Sequence, residues 1–259
     1  MAALSKPEVF VSMITVTFNA GKVLEKTIQS IIQQQCDDYE YIIVDGGSKD
    51  NTLEIIRKYE KHLNCWISEP DQGIYDAMNK GIKLAKGKYL WFMNAGDCMY
   101  ASDTLLKICT HPEKEADIYY GETLMLTPEG QVDGLRSAVT PMKLPERLHW
   151  KSLQRGMVVC HQAFISKRSL GVWYDFKQHP YSADIDWVIR CLKKSLKTVH
   201  THEILAIYLQ GGFSKQHLKA SLKDRFKILQ KHYGLIPNLF NHGWIVWRYF
   251  YFKYLRKAR

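Results

Sequence analysis

Lys88-Tyr-Leu-Trp-Phe-Met-Asn-Ala-Gly-Asp97 is the stretch on which the fold reading turns. Tyr89 to Met93 is an unbroken apolar run, the pattern of a strand covered on both faces. It stops at a polar loop that closes on a carboxylate. Open α/β sheets receive ligands outside the carboxyl ends of their strands, so Asp97 is read as an anchor for a metal ion or a diphosphate.

The sequence before this strand repeats the same arrangement. Val9–Phe18 (VFVSMITVTF) reads as a first core strand, and Asn19-Ala-Gly21 as a turn. Val23, Thr27, Ile28, Ile31 and Ile32 recur at helical spacing within Lys22–Gln35. Tyr39–Val44 is a second strand, ending in Asp45-Gly-Gly-Ser48, and Asp50 or Ser48 can cap a helix running through Tyr59. Cys65–Ser68 is a short third strand, Pro70–Gly73 a loop and Ile74–Ala85 a helix. Such alternation predicts a doubly wound, mainly parallel sheet with right-handed crossovers and helices on both faces. Its strand ends gather Thr15, Thr17, Asn19, Asp45, Glu69, Asp71, Asn94 and Asp97 at one edge.

The second half is less regular. Ala101–Cys109 reads as a helix, Asp117–Gly130 as strands with a turn at Thr127–Gly130, and residues 131–155 have no clear period. Val158–Ser166 reads as a strand with His161 and Gln162 inside it, Asp184–Lys194 as an acid-led helix and Ile204–Leu209 as another strand. Lys215–Tyr233 is a basic helix, followed by an aromatic, basic segment over 243–257.

The 259 residues, 46% hydrophobic, suffice for one large domain with an appendage. Cys36, Cys65, Cys98, Cys109, Cys160 and Cys191 show no CxxC pair, which argues against a zinc ribbon or disulfide framework and fits a reducing cytoplasm. Met1–Glu8 is short and mixed, so no leader is expected, and no apolar run is long enough to span a bilayer. The net charge of +10 is unevenly placed. Ten Lys/Arg and one acid lie between Lys219 and Arg259, against 26 basic and 25 acidic residues elsewhere. A basic tail with Trp244, Trp247, Tyr251 and Tyr254 among Arg248, Lys253, Arg256, Lys257 and Arg259 suits an anionic membrane interface. A terminal helix packed on the domain explains the same pattern; no nucleic-acid motif accompanies the charge, so no nucleic-acid partner is expected. GxGxxG, GxxxxGK[ST], HExxH and GxSxG are all absent, which argues against dinucleotide, P-loop, zincin and α/β-hydrolase chemistry.

ITVTFN, VDGGSKDNT, SEPDQGIYDAMNKGI, the strand with NAGD, HQAFI and ADIDW occur in an order that resembles the inverting glycosyltransferases of family 2, which have the GT-A fold. The resemblance is close over residues 8–105 and looser over 155–215. It implies a GT-A domain over 1–215, with a nucleotide-sugar-binding half at 8–105 and an acceptor half at 106–215, followed by a helical basic extension at 216–259. It implies transfer, with inversion, from a nucleotide-diphosphate sugar, UDP foremost, to a hydroxyl of a glycan or lipid-linked acceptor in polysaccharide, O-antigen or capsule-type synthesis. The enzyme would be cytoplasmic, or peripheral on the inner face of the cell membrane. Alternatives are a non-catalytic sugar-nucleotide or membrane-surface module and a sugar nucleotidyltransferase; the phosphate loop of the latter is poorly matched by Asn19-Ala-Gly-Lys22.

By resemblance, Thr17, Asn19, Asp45, Asp71, Asn94, His161 and Gln162 line the donor pocket. Asp97 holds Mn²⁺ or Mg²⁺ as the second acid of a DxD motif whose first acid is replaced by Asn94. Asp184, with Asp186 as runner-up, is the base. Each residue also has a plainer reading: Asp45 as the hinge of a tight turn, Asp71 as a helix cap, His161 as a buried core histidine, and the two acids of ADIDW as partners of the helix dipole.

Overall fold

A computed structural model describes residues 9–212 and 217–250. The strands are β1 (Val11–Thr17), β2 (Tyr39–Asp45), β3 (Cys65–Ser68), β4 (Tyr89–Phe92), β5 (Cys98–Met99), β6 (Ile118–Leu126), β7 (Val132–Leu135), β8 (Phe164–Lys167) and β9 (Thr198–Leu209). The helices are α1 (Leu24–Ile32), α2 (Thr52–Lys58), α3 (Ile74–Leu84), α4 (Thr104–Cys109), α5 (Arg136–Val139), α6 (Ala183–Lys194), α7 (Leu218–Tyr233) and α8 (Leu235–Phe250).

All the strands share one mixed sheet in the order β3-β2-β1-β4-β8-β6-β9-β5, with β7 paired to β6. The β3-β2-β1-β4 run and the β6–β9 pair are parallel; β8 joins β4 and β6 antiparallel. Strand alternation explains the layers. Ile14, Val16, Leu90 and Phe92 face a core shared with Tyr75, Met78 and Ile82 of α3 and Trp187 of α6. Val11, Met13, Tyr89 and Trp91 face the opposite core with Leu24, Ile28 and Ile31 of α1. Helices therefore cover both faces, as the strand–helix alternation predicts.

Three expectations change. Val158–Ser166 is not one strand: His161–Ala163 is a 3₁₀ turn and β8 begins only at Phe164. The aperiodic 131–155 stretch contains β7 and α5, and there Arg136 is buried, donating to the carbonyls of Val158 (2.7 Å) and Met157. The boundary expected at 215/216 cuts off α7, but Ile228 and Leu229 of α7 belong to the α3–α6 core, and Asp224 receives the amides of Tyr181 and Ser182 (3.1 and 3.0 Å). That bracing fixes the head of α6. Met1–Glu8, residues 213–216 (Lys215 of the expected basic helix among them) and residues 251–259 of the tail lie outside the described residues.

Candidate active site

Parallel pairing levels the strand ends. Thr17 stands opposite Asp45, and Asp45 opposite Ser68. Beyond β4, the Met93 and Ala95 amides continue along β1 onto Ile14 and Val16 (2.9 and 3.1 Å), which carries Asn94 to the same edge.

Asp45 does not face outward. It is fully buried and accepts from the Gly47 and Ser48 amides (3.0 and 2.9 Å), Ser48 Oγ (2.5 Å) and Ser68 Oγ (2.7 Å). The expected open acceptor for a nucleoside is thus occupied in holding the Gly46-Gly47-Ser48 turn. Asn19 is likewise engaged: its amide donates to Ser48 Oγ (2.7 Å) and its Oδ1 accepts from the Lys49 amide (2.8 Å). These bonds join the loops after β1 and β2. Neither Asp50 nor Ser48 is the N-cap of α2, which is Asn51; Asp50, one residue before it, accepts the Thr52 amide at Oδ1 (3.0 Å).

Asp71 lies against this turn. A Cβ on Gly46 would sit 2.4 Å from Asp71 Oδ2, so only glycine admits the carboxylate there. Burial pushes the Asp71 carboxyl up, against the pull of the Gly73 amide bonded to Oδ1 (2.8 Å). Asn79, in the same motif, instead ties α3 to Tyr174 through two backbone bonds (2.8 and 2.9 Å).

The NAGD loop differs. Asp97 is 5% exposed, and burial raises its carboxyl to about 7, despite bonds from Gln162 Nε2 (2.7 Å) and the Leu209 amide (3.2 Å). Among the described residues no cationic side chain pairs with it. Asn94 Oδ1 and Thr17 Oγ1 are buried without hydrogen-bond partners. Asn94 Nδ2 donates to His161 Nε2 (3.2 Å), a ring that burial drives below the usual range, against the pull of Asp184, and so keeps neutral. The 3₁₀ turn explains why both residues of His161-Gln162 reach this loop. In a strand, consecutive side chains would point to opposite faces. The buried Asp97 carboxylate and the orphaned Asn94 carbonyl oxygen, on the same loop, are both hard oxygen donors of the kind that Mg²⁺ or Mn²⁺ takes.

At the head of α6 the two acids separate. Asp186 is fully buried and bound by Arg190 Nε (2.6 Å) and His232 Nε2 (2.8 Å), with Lys231 Nζ at 3.6 Å. Burial raises its carboxyl, but His232 and Arg190 together outweigh that and hold it well below the usual range. Asp186 is thus a clamp between α6 and α7, which corrects its candidacy as base. Asp184 is half-buried and accepts one bond, from Tyr75 Oη (3.0 Å).

Two further residues escaped the sequence reading. The Tyr208 hydroxyl on β9 is driven far up by burial and by the charge of Asp97, with Asp184 adding and Arg225 opposing. Arg225 on α7 has a buried Nε with no partner. A signal for it existed: it is the lone arginine among Lys219, Lys223, Lys227 and Lys231, and a planar guanidinium suits oxyanions better than an ammonium does.

The sequence model of Glycosyl transferase family 2 matches residues 12–172. A PGL/p-HBAD biosynthesis glycosyltransferase of Mycobacterium bovis is 34% identical over 212 residues, 78% of each chain. Staphylococcus aureus TarS, solved with UDP, superposes with a TM-score of 0.64 at 14% identity, covering 85% of this chain and 65% of its own. The mannosyltransferase PcManGT from Pyrobaculum calidifontis, solved with GDP-Man and Mn²⁺, gives 0.61 at 15% identity over 95% and 78%. The family match spans β1 to β8 and the relative covers most of both chains, so this chain belongs to glycosyltransferase family 2 and is a glycosyltransferase.

Proposed function

We propose that the enzyme transfers a hexosyl or N-acetylhexosaminyl residue, with inversion, from a nucleotide-diphosphate sugar to a hydroxyl of a glycan or lipid-linked acceptor. UDP is the foremost nucleotide. The observation that carries this reading is a pair of opposite electrostatic needs. Among the described residues, Asp97 is a buried acid without a cationic partner, and Arg225 is a partly buried cation whose Nε has no hydrogen-bond partner. A divalent cation bound to a diphosphate answers both. TarS with UDP and PcManGT with GDP-Man and Mn²⁺ support a ligand of this kind.

Asp97 and Asn94 Oδ1 would hold the cation, and a cation held there would offset negative charge on the leaving diphosphate. Gln162 aims Asp97, and neutral His161 aims Asn94. Arg225 would pair with the diphosphate oxygens directly. Thr17 would add its unpartnered hydroxyl to the donor pocket, while Asp45 and Asn19 hold the turn that carries Gly46 and Asp71 to the nucleoside. Asp184, oriented by Tyr75, takes the proton of the acceptor hydroxyl as the new glycosidic bond forms and the bond to diphosphate breaks. Asp186 keeps α6 in place for that step.

The acceptor side would meet an anionic membrane on the cytoplasmic face. Lys219, Lys223, Lys227 and Lys231 recur every fourth residue on α7, and Ile236, Phe240 and Trp247 of α8 expose an apolar stripe. No helix among the described residues is long and apolar enough to cross a membrane. Flotation with vesicles of phosphatidylglycerol and phosphatidylcholine tests this: salt-sensitive binding weakened by Phe240→Ser supports it, and no binding contradicts it. The reaction is tested by incubating the protein with UDP-, GDP- and dTDP-sugars, Mn²⁺ and glycan acceptors. Released nucleoside diphosphate and a product of inverted anomeric configuration are expected. A retained configuration, or neither binding nor turnover of any sugar nucleotide, would overturn it.

A further inference from the structure

We propose that Glu146, His200 and His202 form a binding site for a divalent transition metal of the zinc class, separate from the oxygen-donor set of Asn94 and Asp97. The site is built by an irregularity in the sheet. His200 of β9 stands opposite Tyr120 of β6, but the next registered pair is Ile204 with Glu122. Thr201, His202 and Glu203 therefore face the single residue Gly121. A Cβ on Gly121 would meet the Glu203 carbonyl oxygen at 2.5 Å and Thr201 Oγ1 at 2.8 Å, so the bulge requires glycine beneath it. At the crest His202 adopts φ +58, a left-handed conformation unfavourable for a residue with a Cβ. Backbone strain of this kind persists where the surroundings enforce it, and it gathers at functional sites.

Here the strain sets the two imidazoles side by side. The His200 and His202 ring centroids are 4.2 Å apart. Glu146 Oε2 lies 3.4 Å from His200 Nδ1 and 3.7 Å from His202 Nε2, and all three ligand atoms lie within 4.8 Å of one another. A tetrahedral site with metal–ligand bonds of about 2.0–2.1 Å has ligand–ligand edges of roughly 3.3 Å, so two of the three edges already match.

The support is in place before any metal arrives. The His200 ring stacks on Tyr120, with centroids 5.0 Å apart and planes 7° apart. The same tyrosine donates to the carbonyls of Pro145 and Glu146 (3.0 and 2.9 Å) and accepts from the Leu148 amide (3.0 Å), which fixes the backbone that carries Glu146. Such outer bonds orient ligands in metal sites. Glu146 and His202 are well exposed, and the histidines open on a cleft of about 430 Å³ that also includes Glu122 and Lys143, leaving room for water at a fourth coordination position. Two imidazoles and one carboxylate favour Zn²⁺, with Co²⁺ as its spectroscopic stand-in, over Mg²⁺ or Ca²⁺. A metal held there fastens the irregular segment around Glu146 to the bulge of β9.

The test is calorimetric titration of chelator-treated full-length protein with Zn²⁺, together with visible absorption of the Co²⁺-loaded form. Wild type is expected to bind one equivalent at this site. His202→Gly removes a ligand at a φ that glycine adopts freely, so the fold is retained; this variant and Glu146→Gln should each weaken binding by about tenfold or more. Asp97→Asn should leave this equivalent intact and, in the same protein, preserve the Co²⁺ spectrum. Absence of Zn²⁺ binding by wild type, or binding that survives both His202→Gly and Glu146→Gln, would overturn the proposal.

Discussion

Asp45 and Asp97 lie buried at the same sheet edge, Asp45 as the last residue of β2 and Asp97 on the loop after β4, the two strands that flank β1. Their surroundings are opposite. Asp45 has four donors from its own turn and from Ser68, whereas Asp97 has two and holds its proton up to about pH 7. The head of α6 repeats the contrast: Asp186 is bound by Arg190, His232 and Lys231, while Asp184 has one tyrosine. A buried acid with its bonds filled serves as scaffold. One left short of partners is a place for a ligand or a proton.

The sharpest way to break this contrast is at α6. Asp184→Asn should lower transfer by about 10²- to 10⁴-fold with melting little changed, the range for loss of a positioned base. Asp186→Asn should do the reverse, destabilising by about 3–5 kcal/mol because Arg190, His232 and Lys231 lose the buried partner they share, with activity per folded molecule largely kept. The account of α6 fails if the two variants exchange these phenotypes.

At the sheet edge, Asp45→Ala orphans four donors and should destabilise by about 3 kcal/mol or more in chemical denaturation. Asp97→Asn should cost the ligand-free protein less than about 1 kcal/mol at pH 8, because it removes a poorly compensated buried charge. Equal losses in the two variants would erase the distinction. A smaller effect belongs to Arg225: Arg225→Met should raise the donor KM roughly tenfold, about 1.4 kcal/mol of binding, with Arg225→Lys recovering part of it. An unchanged KM would remove Arg225 from the donor site.

The legible parts of the molecule were those with local repetition. Val11–Thr17, Tyr39–Asp45 and Tyr89–Phe92 announce themselves by apolar, β-branched runs, and the helices between them by 3.6-residue spacing. The site was legible as a set of polar strand ends, but not as a division of labour among them. Asp45 and Asp97 look alike in sequence; only the positions of Ser68 and Gln162, 23 and 65 residues away, separate them. Asp186 was partly readable from Arg190 one turn on, but its partner His232 lies 46 residues away. His161-Gln162 was misplaced within a strand because a 3₁₀ turn ahead of Phe164 leaves no periodic trace. Arg225 had only its identity to distinguish it from the lysines around it.

The central claim is that Asp97 is left short of partners because it receives a cation with a diphosphate. The pH dependence of the ligand-free protein has a definite sign. Folded Asp97 keeps its proton up to about 7 while the unfolded chain releases it near 3.8, so its contribution to stability is full below 3.8 and is lost as pH rises through 7. The most direct measurement is therefore melting at pH 8, with UDP, GDP and dTDP-sugars each added with and without Mn²⁺, in wild type and Asp97→Asn. The account predicts that one sugar nucleotide with Mn²⁺ raises the wild-type Tm well beyond either alone, following RT ln(1 + [L]/Kd), and that Asp97→Asn loses this joint increment. An increment of the same size in Asp97→Asn, or a nucleotide response indifferent to Mn²⁺, would contradict it.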